Sequence, residues 1–206
     1  MKIIFKIGLI SLLGLFAGSA FSQNFDDNYT TLSAPVALAQ NKDKDVVIEF
    51  FSYGCPHCYD FNSMLNEWEK PHPKVEVRKS PVIFGRSGWE VLAKAYYIAQ
   101  VYNKEYELSS KIFIAIHQKQ ENLYTEDNLR SFFEKNGISN TEFDNVYNSA
   151  GMDKVLKNDK KLYLAAHISG VPALLVNGKY LVDPTKAKGL NNMLLTVDYL
   201  LKKKSK

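Results

Sequence analysis

The segment VVIEFFSYGCPHCYDF, residues 46–61, constrains this chain more than any other. VVIEFFS is a continuous β-branched and aromatic run bounded by Asp45 and Gly54, which reads as a buried strand. The only two cysteines of the 206 residues come directly after it, with two residues between them. They open a helical pattern in which Phe61, Leu65 and Trp68 recur at spacings of four and three, until Pro71 and Pro73 end it. A strand that runs straight into Cys55-Pro56-His57-Cys58 and then a helix is an α/β element with chemistry at its turn.

The chain's own residues narrow that chemistry. A structural zinc site needs four ligands, and His57, His72, His117 and His167 show no ligand spacing, so no metal is expected. Haem attachment requires His directly after the second Cys, where this chain has Tyr59. A purely structural disulfide closes almost no loop here and removes little entropy from the unfolded chain. What remains is a dithiol that cycles, with no cofactor of its own.

Export supports that reading. Lys2 and Lys6, the apolar run IGLISLLGLFAG and Ala20-Phe21-Ser22 together read as a signal peptide over residues 1–22, cleaved near residue 22. The run is too short to span a bilayer. Export places the thiols outside the reducing cytosol. The net charge of +4 falls to +2 without Lys2 and Lys6, which gives no reason to invoke nucleic acid. The lysines of the terminal LKKKSK suit the negative pole of a last helix.

Along the rest of the chain, YTTL (29–32) reads as a short edge strand and VEVRKSPVIF (75–84), which alternates, as a second strand ending near Pro81. From Ser87 to Ser169 the pattern is helical. Leu92, Ala95, Tyr96, Ala99 and Tyr102 share one face, Thr125 starts a helix and Asn136-Gly137 stops it. Further helices are expected over about 141–149 and from Met152 to about Ile168. VPALLV, Asn177-Gly178 and KYLV form a hairpin with a two-residue turn, and a last helix carries Leu190, Met193, Leu194, Val197, Leu200 and Leu201. The expected organisation is one α/β unit, residues 23–85 and 170–206, interrupted by a helical subdomain over 86–169.

Position assigns the roles. Cys55 sits where unpaired helix N–H groups and the dipole favour an anion, so it is the low-pKa thiol and the sulfur attacked. Cys58, one turn further in, is the less exposed partner. Between them, His57 either donates to the thiolate and adds positive charge or is simply an exposed polar residue. Glu49 is a carboxylate within a strand. It either ferries the proton of Cys58, with Lys79 of the next strand as partner, or is a structural ion pair or an edge residue. Pro172, in Gly170-Val171-Pro172, must begin its strand, and X–Pro bonds can be cis.

On VVIEFFSYGCPHCYDF, RKSPVIF and GVPALLVNGKY, in that order around a helical insertion, the chain resembles the DsbA family of periplasmic thiol:disulfide oxidoreductases. YTTLSAPVA extends the likeness across the mature chain. The resemblance implies a thioredoxin fold with an inserted helical subdomain. It also implies Cys55 as nucleophile, Cys58 as resolving thiol, Pro172 as a cis-proline after Val171, and Glu49–Lys79 as the buried charge pair. It implies newly exported, unfolded cysteine-containing proteins as substrates and re-oxidation by a DsbB-like quinone-linked membrane oxidase. Tyr53-Gly54 stands where family members vary. The stretch between Ser22 and Asp45 is too short for the dimerisation domain of the isomerase branch, so a monomer is expected. The competing readings are a disulfide reductase or isomerase, and a holdase using its 12 Phe, 12 Tyr and 2 Trp as a peptide groove; aromatics at helical spacing in 87–135 belong more naturally to the core.

Overall fold

A computed structural model describes residues 25–38 and 44–204; the signal segment expected over residues 1–22 lies outside them. A five-stranded sheet forms from β1 (Thr30–Thr31), β2 (Asp45–Phe51), β3 (Val75–Pro81), β4 (Ala173–Val176) and β5 (Tyr180–Val182), in the order β1-β5-β4-β2-β3. Only β2 and β3 pair in parallel. Helix α1 (Pro56–Glu69) makes the crossover between them. Five helices lie between β3 and β4: α2 (Ser87–Val101), α3 (Glu105–His117), α4 (Glu126–Lys135), α5 (Asn140–Tyr147) and α6 (Ala150–Ala165). Helix α7 (Leu190–Lys204) ends the described chain.

Strand alternation sorts the core. Val46, Ile48 and Phe50 of β2 point to one face, under Tyr163, Ala166 and Ile168. Val47 points to the other, against Phe61 and Leu65 of α1 and Met193, Val197 and Leu200 of α7. Glu49 lies between Val47 and Phe51 in that alternation and so shares the α1 face. A third cluster joins Phe51, Tyr53, Cys55 and Cys58 to buried residues of α2, α3, α4, α5 and α6. The helical segment is thus packed directly against the cysteine loop.

Local chemistry accounts for the boundaries. Thr125 caps α4 through its side chain, and Gly137 leaves its end at φ +80°. Ser139 and Glu142 form a reciprocal capping box on α5. Ser149 caps α6 by accepting from the Met152 N–H, so that helix begins at Ala150 and ends at Ala165, earlier at both ends than its apolar spacing suggests.

The hairpin also departs from expectation. Val176 pairs with Tyr180, so the loop holds three residues, not two. Asn177 and Gly178 keep the left-handed backbone that the dipeptide favours. The physical reason lies outside the hairpin: Asn177 N–H donates to the Val46 carbonyl and Asn177 Oδ1 accepts from the Val46 N–H, binding the turn to β2. A Cβ on Gly178 would stand 2.3 Å from the Val36 carbonyl oxygen, at φ +68°. Gly178→Ala is therefore expected to cost on the order of 2 kcal/mol, read as a lower urea midpoint with an unchanged slope.

Candidate active site: a dithiol leading a helix

Cys55 is the N-cap of α1 and Pro56 opens its first turn, where a missing N–H costs nothing because that donor has no intrahelical partner. The geometry separates the two sulfurs. Cys55 is 8% exposed and Cys58 fully buried. The Cys55 thiol is brought down from 9.0 to about 6, chiefly by the hydrogen bond that the Cys58 thiol donates to it, then by backbone N–H groups of Cys58 and His57; burial works against this. Cys58 is pushed up, first by burial and then by its bond and proximity to the Cys55 anion, with Glu49 adding to the effect.

His57 meets the Cys55 sulfur mainly through its main chain. Its backbone N–H reaches the sulfur, while its charge contributes least among the named causes. The residue itself is exposed. Pro56 is exposed beside it.

Across from the helix start, the Val171–Pro172 peptide is cis, and the Val171 carbonyl oxygen lies 3.4 Å from Cys55 Sγ, accepting from it while the thiol is protonated. Residues more than a hundred positions apart are thus joined at one sulfur. A groove of about 390 Å³ runs alongside, lined by His57, Gly170, Val171, Pro172, Leu181 and Thr185 among others.

The parallel register sets Glu49 directly opposite Lys79. Glu49 is 1% exposed and its Oε2 lies 3.0 Å from Lys79 Nζ. The contact is an ion pair without hydrogen-bond alignment at that oxygen; the Lys79 ammonium instead donates to Asn62 Oδ1 of α1 at 3.1 Å. The structure therefore brings all eight residues singled out from sequence to one end of the sheet and the helix above it.

Three further residues join the neighbourhood without having been singled out. Asn62 receives Lys79; its signal, a polar residue on the inward face of α1, was legible but unspecific. Asp159 is buried and accepts from Ser80 Oγ at 2.8 Å and from the Tyr97 hydroxyl. Burial raises its carboxyl to about 6. His117 of α3 contacts the cysteine loop, a placement that no local pattern announces. Gly54 is also explained here: a Cβ would stand 2.8 Å from Trp89 Nε1.

A helix-leading Cys-x-x-Cys facing a cis-proline on a central sheet defines a thioredoxin-type dithiol enzyme. The family model for the DSBA-like thioredoxin domain matches residues 46–194. The chain is 31% identical over 206 residues to the thiol:disulfide interchange protein DsbA of Pseudomonas aeruginosa, covering 98% of this chain and 97% of the relative. It is 36% identical over 174 residues to that of Azotobacter vinelandii, covering 84% and 80%. The crystal structure of Pseudomonas aeruginosa DsbA superposes with a TM-score of 0.81 at 33% identity, over 87% of this chain and 93% of the other. The oxidoreductase DsbA from Xylella fastidiosa gives 0.79 at 27%, over 86% and 95%. The chain belongs to the DSBA-like thioredoxin domain family, and its activity is that of a thiol:disulfide oxidoreductase.

Proposed function

We propose that this chain is a dithiol oxidase that donates the Cys55–Cys58 disulfide to newly exported, cysteine-containing proteins. A substrate thiolate attacks Cys55 Sγ, the Cys55–Cys58 bond breaks, and Cys58 leaves and takes up a proton. The substrate's second thiolate then attacks its own sulfur in the mixed disulfide and releases Cys55 as a thiolate. The substrate loses two electrons and becomes the disulfide; the enzyme gains them as a dithiol. The observation that carries this reading is the placement of Cys55 at the head of α1 beside a fully buried Cys58, with the Cys58 thiol and the backbone N–H groups of Cys58 and His57 lowering the Cys55 pKa. Stabilising the thiolate favours the reduced enzyme and makes its disulfide a better oxidant.

The remaining residues take roles consistent with that step. Pro56 and His57 shape the helix start, and the His57 N–H bonds the Cys55 anion. Val171 and Pro172 offer backbone to an extended peptide lying in the adjoining groove. Glu49 and Lys79 form the buried charge pair that serves the proton of Cys58. Residues 23–85 and 170–206 act as the thioredoxin-like unit and 86–169 as the inserted helical unit. The enzyme works in the periplasm as a monomer after cleavage near residue 22. A DsbB-like quinone-linked membrane oxidase accepts the two electrons and restores the disulfide. No helix among the described residues is long and apolar enough to cross a membrane.

The test is adduct mapping. The oxidised protein is mixed with a peptide carrying two reduced cysteines, quenched with acid and analysed by mass spectrometry. The peptide is expected on Cys55, and the Cys55→Ser variant should oxidise none. Adducts on Cys58 instead would overturn the assignment.

A further inference from the structure

We propose that His117 is a positioning residue for the redox loop, holding both flanks of the Cys55–Cys58 segment from the helical insertion. On the N-terminal flank, His117 Nε2 lies 2.7 Å from the carbonyl oxygen of Tyr53, two residues before Cys55. On the C-terminal flank, its ring stacks on Tyr59, the residue after Cys58, with centroids 5.2 Å apart and planes inclined by 23°. Gln118, its neighbour, donates to the Tyr59 hydroxyl.

The contact belongs to a stripe of α3. Ser109, Phe113 and His117 recur every four residues and so share one helix face. Ser109 Oγ is 2.6 Å from the Tyr53 hydroxyl, and Phe113 packs edge-on against the Tyr53 ring at 4.9 Å. Both hold the Tyr53 side chain. His117 holds the Tyr53 backbone, and that backbone sets the direction in which the chain enters Cys55.

The consequence reaches the sulfur through geometry. The N–H groups of His57 and Cys58 stabilise the Cys55 anion only while the loop points Sγ at them. A carbonyl oxygen only accepts, so the proton of the bond is on His117 Nε2. Without that donor the Tyr53–Gly54 peptide keeps only the bond of its Gly54 N–H to Ser52 Oγ at 3.2 Å, and its carbonyl loses the cross-link to α3 that fixes the entry into α1. The inference rests on the reading of Cys55 as the thiolate that reacts.

The test titrates thiolate absorbance at 240 nm in the reduced wild type, His117→Phe and His117→Gln. Phe keeps a ring against Tyr59 but donates nothing. Gln places an amide N–H close to the position of Nε2 and forgoes the ring. His117→Phe is expected to raise the Cys55 midpoint by about half a unit, roughly a threefold loss of thiolate below it. His117→Gln is expected to return the midpoint to the wild-type value. An unchanged midpoint in His117→Phe, or equal shifts in both variants, would reduce His117 to a packing residue and overturn the proposal. Nitrogen-15 NMR of the wild type supplies a check free of any folding defect, since an Nδ1–H tautomer is incompatible with the Tyr53 bond. The wild-type midpoint tests the dithiol reading; the difference between variants tests His117.

Discussion

Replacing Lys79 by Met is expected to cost about 3–5 kcal/mol of stability, although the side chain lost is partly exposed and belongs to an edge strand. Glu49 is buried: it is 1% exposed, and Lys79 is its ion-pair partner at 3.0 Å. Removing Lys79 leaves a carboxylate in a low-dielectric site, where the desolvation penalty is no longer offset. The Asn62 oxygen would lose its donor as well. In a chain of this size the cost corresponds to a melting temperature lower by about 6–20 °C. Replacing both partners, Glu49→Leu with Lys79→Met, should recover most of the loss, because it removes the buried charge rather than stranding it. Urea denaturation of the wild type, the single variant and the double variant measures this. A single variant as stable as the wild type would mean that Glu49 finds water or another cation.

The second large effect is a redox difference in stability that grows with pH. In the reduced protein the Cys55 pKa is lowered from 9.0 to about 6. A depressed acid stabilises the fold fully above its unfolded value, and that contribution disappears as pH falls through the folded one. At pH 7 it amounts to about 1.4 kcal/mol, a factor of ten, at pH 8 to about 2.7, and at pH 5 to almost nothing. The disulfide form carries no thiolate and gains none of this. Cys58, raised by burial, stays protonated over this range and adds nothing to the difference. Asp159, at about 6, weakens the fold as pH rises through its titration, but equally in both redox forms, so it cancels. The reduced protein should melt above the oxidised one at pH 7. The gap should widen by about 5–10 °C between pH 5 and pH 8. Paired thermal scans across that range decide the matter. A gap independent of pH would detach the thiolate from the oxidising power, and a disulfide form that melts higher throughout would turn the proposal toward a reductase.

Much of the site was legible because its parts are local. The run VVIEFFS leading into Cys-x-x-Cys and a 3.6-residue apolar repeat specifies a strand, a turn and a helix with one thiol at its head, and burial separated Cys55 from Cys58 as that order implies. Glu49 was visible as a charge in an apolar strand, and Lys79 as its candidate in the next. Less legible was what adjusts Cys55. The largest influence is the Cys58 thiol, and His57 acts more through its backbone than through its ring charge. The hairpin loop is one residue longer than its dipeptide signal implies because Asn177 is held by β2, a partner 131 residues away in sequence.

What the residue order determined by itself is the chemistry: two thiols one helical turn apart, a strand to carry them and a carboxylate within that strand. Periodicity and backbone polarity act over a few residues, so they survive translation into structure without help. Only the tertiary structure decided which further groups meet that chemistry from afar, namely Asn62 at Lys79 and His117 at Tyr53. Those contacts depend on sheet register and helix packing, which are set by the whole core at once and leave no mark in any short stretch of sequence.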